Sequence, residues 1–142
     1  MIDKSKKYWV GSEASDIDEY LKEYTELPVL DVKPVRCSCG SEDFTILVDQ
    51  EEGAILLKCT HCAEEKYLLD SAEYWPECKP KAGICRLCKN AEYNVRVGFV
   101  RNEDGGVQWI YVGNRCTGCG ALGSYVDWGI DDELADTIET ML

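Results

Sequence analysis

The sequence predicts a mainly β protein with short terminal helices. It divides into two small tandem units, each a cysteine knuckle, a β-hairpin, a second knuckle and a short strand, packed as one compact unit. Three observations lead there. Cys85-Arg86-Leu87-Cys88 is followed, after 27 residues, by Cys116-Thr117-Gly118-Cys119, so two short turns can aim four thiolates at one tetrahedral metal. Between them, Tyr93, Val95, Val97 and Phe99 alternate with Asn94, Arg96 and Gly98, and Val107, Trp109 and Tyr111 alternate with Gln108, Ile110 and Val112, around the turn signal Asn102-Glu103-Asp104-Gly105-Gly106. The same plan occurs earlier in the chain, which makes an internal repeat of roughly forty to fifty residues.

The elements follow in order. Lys4, Lys6 and Lys7 precede an apolar anchor, Tyr8-Trp9-Val10. Ser12 or Ser15 is placed to cap a helix from about Ser15 to Glu26, with Asp16, Asp18 and Glu19 in its first turn. Ile17, Tyr20, Leu21 and Tyr24 recur at helical spacing, and this face is expected to pack on the first cysteine unit. The other side carries Asp16, Glu19, Glu23 and Glu26, a candidate partner-binding face. Pro28 stops the helix, Val29-Leu30-Asp31-Val32 is an extended lead-in, and Pro34 breaks it.

The first unit opens with Cys37-Ser38-Cys39-Gly40 and closes with Cys59-Thr60-His61-Cys62. Phe44–Val48 and Ala54–Lys58 form its hairpin, and Tyr67-Leu68-Leu69 its third strand. Its opening pair is CxC rather than CxxC and has a tighter bite. Gly40 and Gly120, each following a knuckle, can take positive φ and let it close. A proline-broken connector around Trp75-Pro76-Glu77-Cys78-Lys79-Pro80 holds the odd cysteine, read as a plain thiol or, alternatively, as a ligand in place of Cys37 or Cys39, and Tyr74 and Trp75 are placed to wedge the units together. In the second unit, Trp109 and Tyr111 are expected to oppose the Tyr93–Phe99 stripe. After Ser124–Trp128, Asp131 begins a short acidic helix to Leu142. The resulting divisions are residues 1–34, 35–78, 79–130 and 131–142.

Nine cysteines with paired spacings and no apparent signal peptide point to a reduced, cytoplasmic, metal-bound protein rather than a disulfide scaffold. No stretch has the length of a membrane span. The formal charge is −12, and two tetrathiolate zinc ions would take it to about −16. The charge is uneven: residues 1–78 carry a net −10, residues 79–116 a net +4, and residues 117–142 a net −6. Asp127, Asp132, Glu133 and Asp136 form a second acidic cluster. Four-cysteine shells leave no open metal position, and no nucleophile–base pair or phosphate-cradling glycine pattern is evident, so no catalysis and no small-molecule substrate are expected. Two binding readings remain. One is an acidic protein docking on a basic protein, such as a nuclease it inhibits. The other is a nucleic-acid accessory protein using the basic second unit.

The two knuckle–hairpin–knuckle units resemble the zinc-ribbon superfamily of transcription and ribosomal accessory proteins, over residues 35–72 and 83–128. The resemblance implies two structural Zn²⁺ ions, one on Cys37, Cys39, Cys59 and Cys62 and one on Cys85, Cys88, Cys116 and Cys119. The Cys37-x-Cys39 step departs from the family's CxxC. The stretch Cys116–Gly120 with Tyr125-Val126-Asp127-Trp128 also looks like the end of small bacterial proteins. In acidic character the chain is similar to immunity proteins, which neutralise a partner toxin.

Overall fold

The structure is a computed structural model and describes residues 2–5, 7–68 and 71–129. The elements run β1 (Ile2–Asp3), β2 (Val10–Gly11), α1 (Asp16–Tyr24), β3 (Asp31–Pro34), β4 (Asp43–Asp49), β5 (Ala54–Cys59), β6 (Glu65–Tyr67), α2 (Ser71–Tyr74), a 3₁₀ turn (Trp75–Glu77), β7 (Lys81–Ala82), β8 (Tyr93–Arg101), β9 (Val107–Cys116) and β10 (Leu122–Gly129). The fold is mainly β, and both expected hairpins are present. The helix expected over 131–142, with Asp132, Glu133 and Asp136, lies outside the described residues. Among those residues, no helix is long and apolar enough to cross a membrane.

The two hairpins are built alike. Phe44 faces Cys59 across β4–β5, and Tyr93 faces Cys116 across β8–β9, so the second strand of each hairpin ends on a knuckle cysteine. A third strand then pairs back, β6 on β5 and β10 on β9. The hairpins share a ladder, because Asp43 and Phe44 of β4 pair with Asn94 and Tyr93 of β8. The rest of those two strand edges is also covered: β3 pairs with β8 over Arg96–Phe99, and β7 pairs with β4 at Leu47 and Val48. One eight-stranded sheet results, in the path β10-β9-β8-β4-β5-β6. The segment before Cys37 is therefore part of the second unit's sheet. Trp75 packs edge-on against Tyr67 of the first unit, with ring centroids 5.3 Å apart, and the shared β4–β8 ladder joins the hairpins.

Register decides which residues meet. On one face, Val95, Val97, Phe99, Ile110 and Val112 join Phe44, Ile46, Ile55 and Leu57 in a core common to both units. Trp109 and Tyr111 do not oppose Val97 and Phe99, contrary to the sequence expectation; Val112 and Ile110 do. The ladder pairs Val100 with Trp109 and Arg101 with Val107, so Gln108 is an extra residue. One inserted residue turns every later side chain of β9 to the other face. A second bulge, between Ser124 and Val126, does the same on β10: Leu122 lies in the core beneath α1 and Val126 in the common core.

Helix α1 covers the face that holds Val100 and Tyr111. Ile17, Tyr20 and Leu21 pack there with Val29 and Leu122. The helix thus sits on β8 and β9 of the second unit rather than on the first unit, as its spacing alone had suggested. Two glycines make the seat. A Cβ on Gly98 would lie 2.9 Å from Val29 Cγ1, and one on Gly113 would lie 2.7 Å from Ile17 Cγ2. Without those side chains the helix can approach the sheet backbone closely. Ser15 stands at the helix start without a side-chain cap; instead the Asp16 carboxylate accepts the Ser12 and Glu13 amides at 2.8 and 3.2 Å.

The second unit's arginines tie the N-terminal segment down. Arg96 donates to both oxygens of Asp18 at 3.0 and 3.2 Å. Arg101 forms a two-pronged pair with Asp31 at 3.0 and 2.8 Å. Arg115 donates to the Gly11 carbonyl at 2.8 Å. Three of the seven cations in the basic segment are thus engaged inside the fold, each with at least one hydrogen bond to the segment before Cys37.

Candidate metal centres

Each cysteine quartet gathers at the knuckle end of its hairpin. Cys59 and Cys116 are the last residues of β5 and β9, and the opening knuckles fold back beside them. The backbone bonds correspond position by position. The Cys37 amide donates to Ser41 O and the Cys85 amide to Asn90 O; the Ala63 amide donates to Cys59 O and the Gly120 amide to Cys116 O. The opening turns differ as CxC and CxxC require: Gly40 N reaches Cys37 O over three residues, and Lys89 N reaches Cys85 O over four. The shorter turn still delivers its sulfur.

In each quartet the four sulfurs lie within 4.8 Å of one another. Cys37 and Cys62 approach to 3.3 Å, Cys39 and Cys59 to 3.6 Å, and both Cys85–Cys119 and Cys88–Cys116 to 3.5 Å. All nine cysteines are free. A disulfide needs about 2.05 Å, whereas a tetrahedron of sulfurs at about 2.3 Å from a central ion has edges of about 3.8 Å. The quartets match the second geometry. Two groups of four sulfurs that could each hold a metal ion follow, on the eight cysteines the sequence indicated.

All four knuckles are followed by a residue in the left-handed region. Gly40 has φ 92° and Gly120 φ 83°, as expected of glycine, but the equivalent places hold Ala63 at 63° and Lys89 at 67°. Gly120 has a second constraint, since a Cβ there would lie 2.3 Å from the Gly11 carbonyl oxygen. The Gly11 amide donates to Gly120 O and the Leu122 amide to Trp9 O, so the N-terminal segment clamps this knuckle from outside.

Knuckle amides prepare one sulfur of each quartet for ionisation. The Cys62 and His61 amides aim at Cys59 and, against burial, hold it down at about 6. Burial pushes Cys116 up, but the Asn90 side chain and the Cys119 amide outweigh it and bring that thiol to about 6. The opposite happens to the closing cysteines. Although the Glu64 amide favours its thiolate, Cys62 is pushed up to about 12 by the Cys37 thiol and by burial. Burial raises Cys119 to about 12, with the neighbouring sulfurs adding to it. Four sulfurs this close cannot all be anionic without a cation among them.

No protein-family model, no curated protein and no solved structure matches the chain.

Sequence spacing missed the supports of these shells. Asn90 Nδ2 donates to Cys116 Sγ at 3.4 Å, to Glu92 O at 3.0 Å and to Thr117 Oγ1 at 3.1 Å, tying both knuckles of the second site together. Ser38 Oγ donates to Glu64 at 2.5 Å and does the same for the first. The available signal was positional: Ser41 and Asn90 occupy the same place in the two repeats. His61 is exposed, its Nε2 3.6 Å from Asp43 and outside the sulfur cluster. Cys78 belongs to neither quartet; its thiol donates to Tyr74 O at 3.3 Å and is pushed up by burial and by Asp49 and Glu52.

The candidate partner-binding residues divide. Asp16 is 6 % exposed and holds the Ser12–Glu13 turn, so it is a structural residue rather than part of an open face. Glu19, Glu23 and Glu26 are exposed on or just beyond α1, and Glu23 pairs with Lys4. Asp127, also exposed, lies beside Glu26: burial and then the Glu26 charge hold its carboxyl above the usual range. Both border a depression of about 470 Å³ walled by Tyr20, Tyr24 and Tyr111.

Proposed function

We propose that the chain is a non-catalytic scaffold, stapled by two structural Zn²⁺ ions, that docks through an acidic, tyrosine-bearing face on a basic protein partner. The observation that carries this reading is the meeting of Glu26 and Asp127, from opposite ends of the described chain, at one depression. Burial, and then the like charge of Glu26, raise the proton affinity of Asp127. A cation placed there would relieve that repulsion. Tyr20 and Tyr24 stack beside it, with ring centroids 4.9 Å apart and planes at 18°. A lysine or arginine side chain would find carboxylates and ring faces together. The same chemistry suits inhibition of a basic enzyme such as a nuclease, with carboxylates standing where phosphates would.

Zinc is the ion we assign to both quartets. It favours closed tetrahedral thiolate shells and has no redox demand. Cys37, Cys39, Cys59 and Cys62 would hold one ion, and Cys85, Cys88, Cys116 and Cys119 the other. The ions would fix hairpin ends that are too small to hold themselves.

The test is affinity capture on the metal-loaded chain, followed by binding measurements with the captured protein. The expected partner is basic, and its affinity falls with salt. Glu26→Gln with Asp127→Asn weakens it about tenfold or more without lowering stability, since a repulsion is removed. A neutral or acidic partner, or an affinity unchanged in the double variant, would overturn the reading.

A further inference from the structure

A second cavity, of about 260 Å³, lies beside the second cysteine quartet, with Cys85 in its wall. It exceeds the roughly 150 Å³ that admits benzene in an apolar core. Its base holds an anomaly. Asn114 is 6 % exposed, yet its side-chain oxygen has no hydrogen-bond partner among the described residues. A buried carboxamide oxygen without a partner is destabilising, and folds rarely keep one without a use. Gly123 stands directly opposite Asn114 on β10. A Cβ there would sit 3.7 Å from Asn114 Nδ2 and 4.0 Å from Oδ1, so a side chain at this position would pack directly on the carboxamide.

The walls are aromatic. The β10 bulge takes Tyr125 out of the ladder and into the cavity, where its hydroxyl meets that of Tyr93 at 3.0 Å. The two rings stand edge to face, with centroids 5.9 Å apart. Gln50 Nε2 holds the Tyr125 carbonyl at 2.6 Å. Ile84 and Leu87, 50 % and 52 % exposed, form an apolar lip on the knuckle. Arg86 lies between them in sequence, also lines the cavity, and is in no ion pair among the described residues.

We propose that this cavity binds a mononucleotide, its base among the tyrosines and paired to Asn114, its phosphate at the mouth beside Arg86. A carboxamide presents a donor and an acceptor side by side, and a nucleobase edge presents the complement. Tyrosine rings supply stacking surface to any base. A guanidinium matches phosphate in charge and shape. A free nucleotide suits this chain better than a nucleic-acid strand, because a formal charge of −12 repels a polyanion more than a single phosphate. This cavity adjoins the acidic depression, sharing Gln50, Ser124 and Tyr125 with it, but its argument uses neither Glu26 nor Asp127 and stands or falls without them.

The experiment titrates the metal-loaded chain with AMP, GMP, CMP and UMP, with inorganic phosphate, and with a single-stranded oligonucleotide, by calorimetry and by NMR of the Asn114 side chain. At least one mononucleotide is expected to bind and shift Asn114, phosphate alone is not, and the oligonucleotide binds more weakly than that mononucleotide. Asn114→Leu and Gly123→Val should each weaken binding about tenfold or more. Metal content should not change, and the melting temperature of Asn114→Leu should hold or rise, because a buried oxygen without a partner is removed. Arg86→Gln should weaken the nucleotide and leave the matching nucleoside unchanged. The proposal is overturned if no mononucleotide shifts Asn114 at millimolar concentration, if Asn114→Leu binds as well as the parent, or if the oligonucleotide binds tighter than any mononucleotide.

Discussion

Gly113→Ala tests how helix and sheet are fitted. The added methyl would stand 2.7 Å from Ile17 Cγ2 and 3.0 and 3.1 Å from the two Leu21 methyls. Carbon atoms pack at about 3.5–4.0 Å, so α1 must lift by the better part of an ångström or the strands must give. Overpacking of this kind costs about 1–3 kcal/mol. Ile17→Ala alone empties a fully buried position and costs about 2–5 kcal/mol. In the double variant the principal clashing atom, Cγ2, is gone, and Leu21 can swing its side-chain end aside. Gly113→Ala should then cost under about 1 kcal/mol, a coupling of about 1–2 kcal/mol. Urea denaturation of the metal-loaded proteins gives the four stabilities. Both ions should remain bound in every variant, since α1 supplies no ligand. Additive costs, or a Gly113→Ala effect within about 0.5 kcal/mol of zero, would refute the close seat.

The knuckles make further predictions. Lys89→Gly and Ala63→Gly should each stabilise by about 0.5–1 kcal/mol in the same assay, because each relieves a left-handed L-residue. Gly120→Ala should destabilise more than Gly40→Ala, having the Gly11 carbonyl in its way as well as the strained φ. Asn90→Ala should lower metal affinity at the second site about 10–100-fold in chelator competition and leave the first site unchanged. The Asp31–Arg101 pair sets a pH dependence. The Arg101 hydrogen bonds hold Asp31 below its ordinary 3.8, with burial opposing, so its contribution is present above that value and is lost as pH falls through the lower folded one. In acid titrations of stability, Asp31→Asn should flatten that part of the curve. The effect at neutral pH should be under about 1 kcal/mol, because the pair is partly exposed.

The features legible in the sequence were the local ones. Knuckle spacing fixes which sulfurs can converge, two-residue alternation marks the strands of the second hairpin, and the repeat of the plan marks Phe44–Val48 and Ala54–Lys58 as those of the first, so the eight paired cysteines and the strand positions were readable without tertiary knowledge. Register was not. Whether Tyr111 faces Phe99 or α1 turns on one extra residue at Gln108, and a bulge leaves no mark in hydrophobic periodicity. The destination of α1 was hidden for a related reason: Gly98 and Gly113 read as weak points of two strands until the helix is seen resting on them. The pairing of Asp31–Pro34 with β8 depends on an open strand edge more than sixty residues away, which the lead-in's own residues do not reveal. Asn90 and Asn114 matter through what surrounds them, and their own residue type says little.

The central claim is that two metal ions, each in a four-sulfur shell, hold the hairpin ends. The most direct measurement is metal content by mass spectrometry on reduced, purified chain, for the parent and for Cys39→Ser and Cys88→Ser, with circular dichroism followed during chelation. The account predicts two zinc ions per parent chain, one per variant, and loss of the sheet signal as chelator removes the second ion. A reduced chain that carries no metal and keeps its full sheet signal in excess chelator would contradict it.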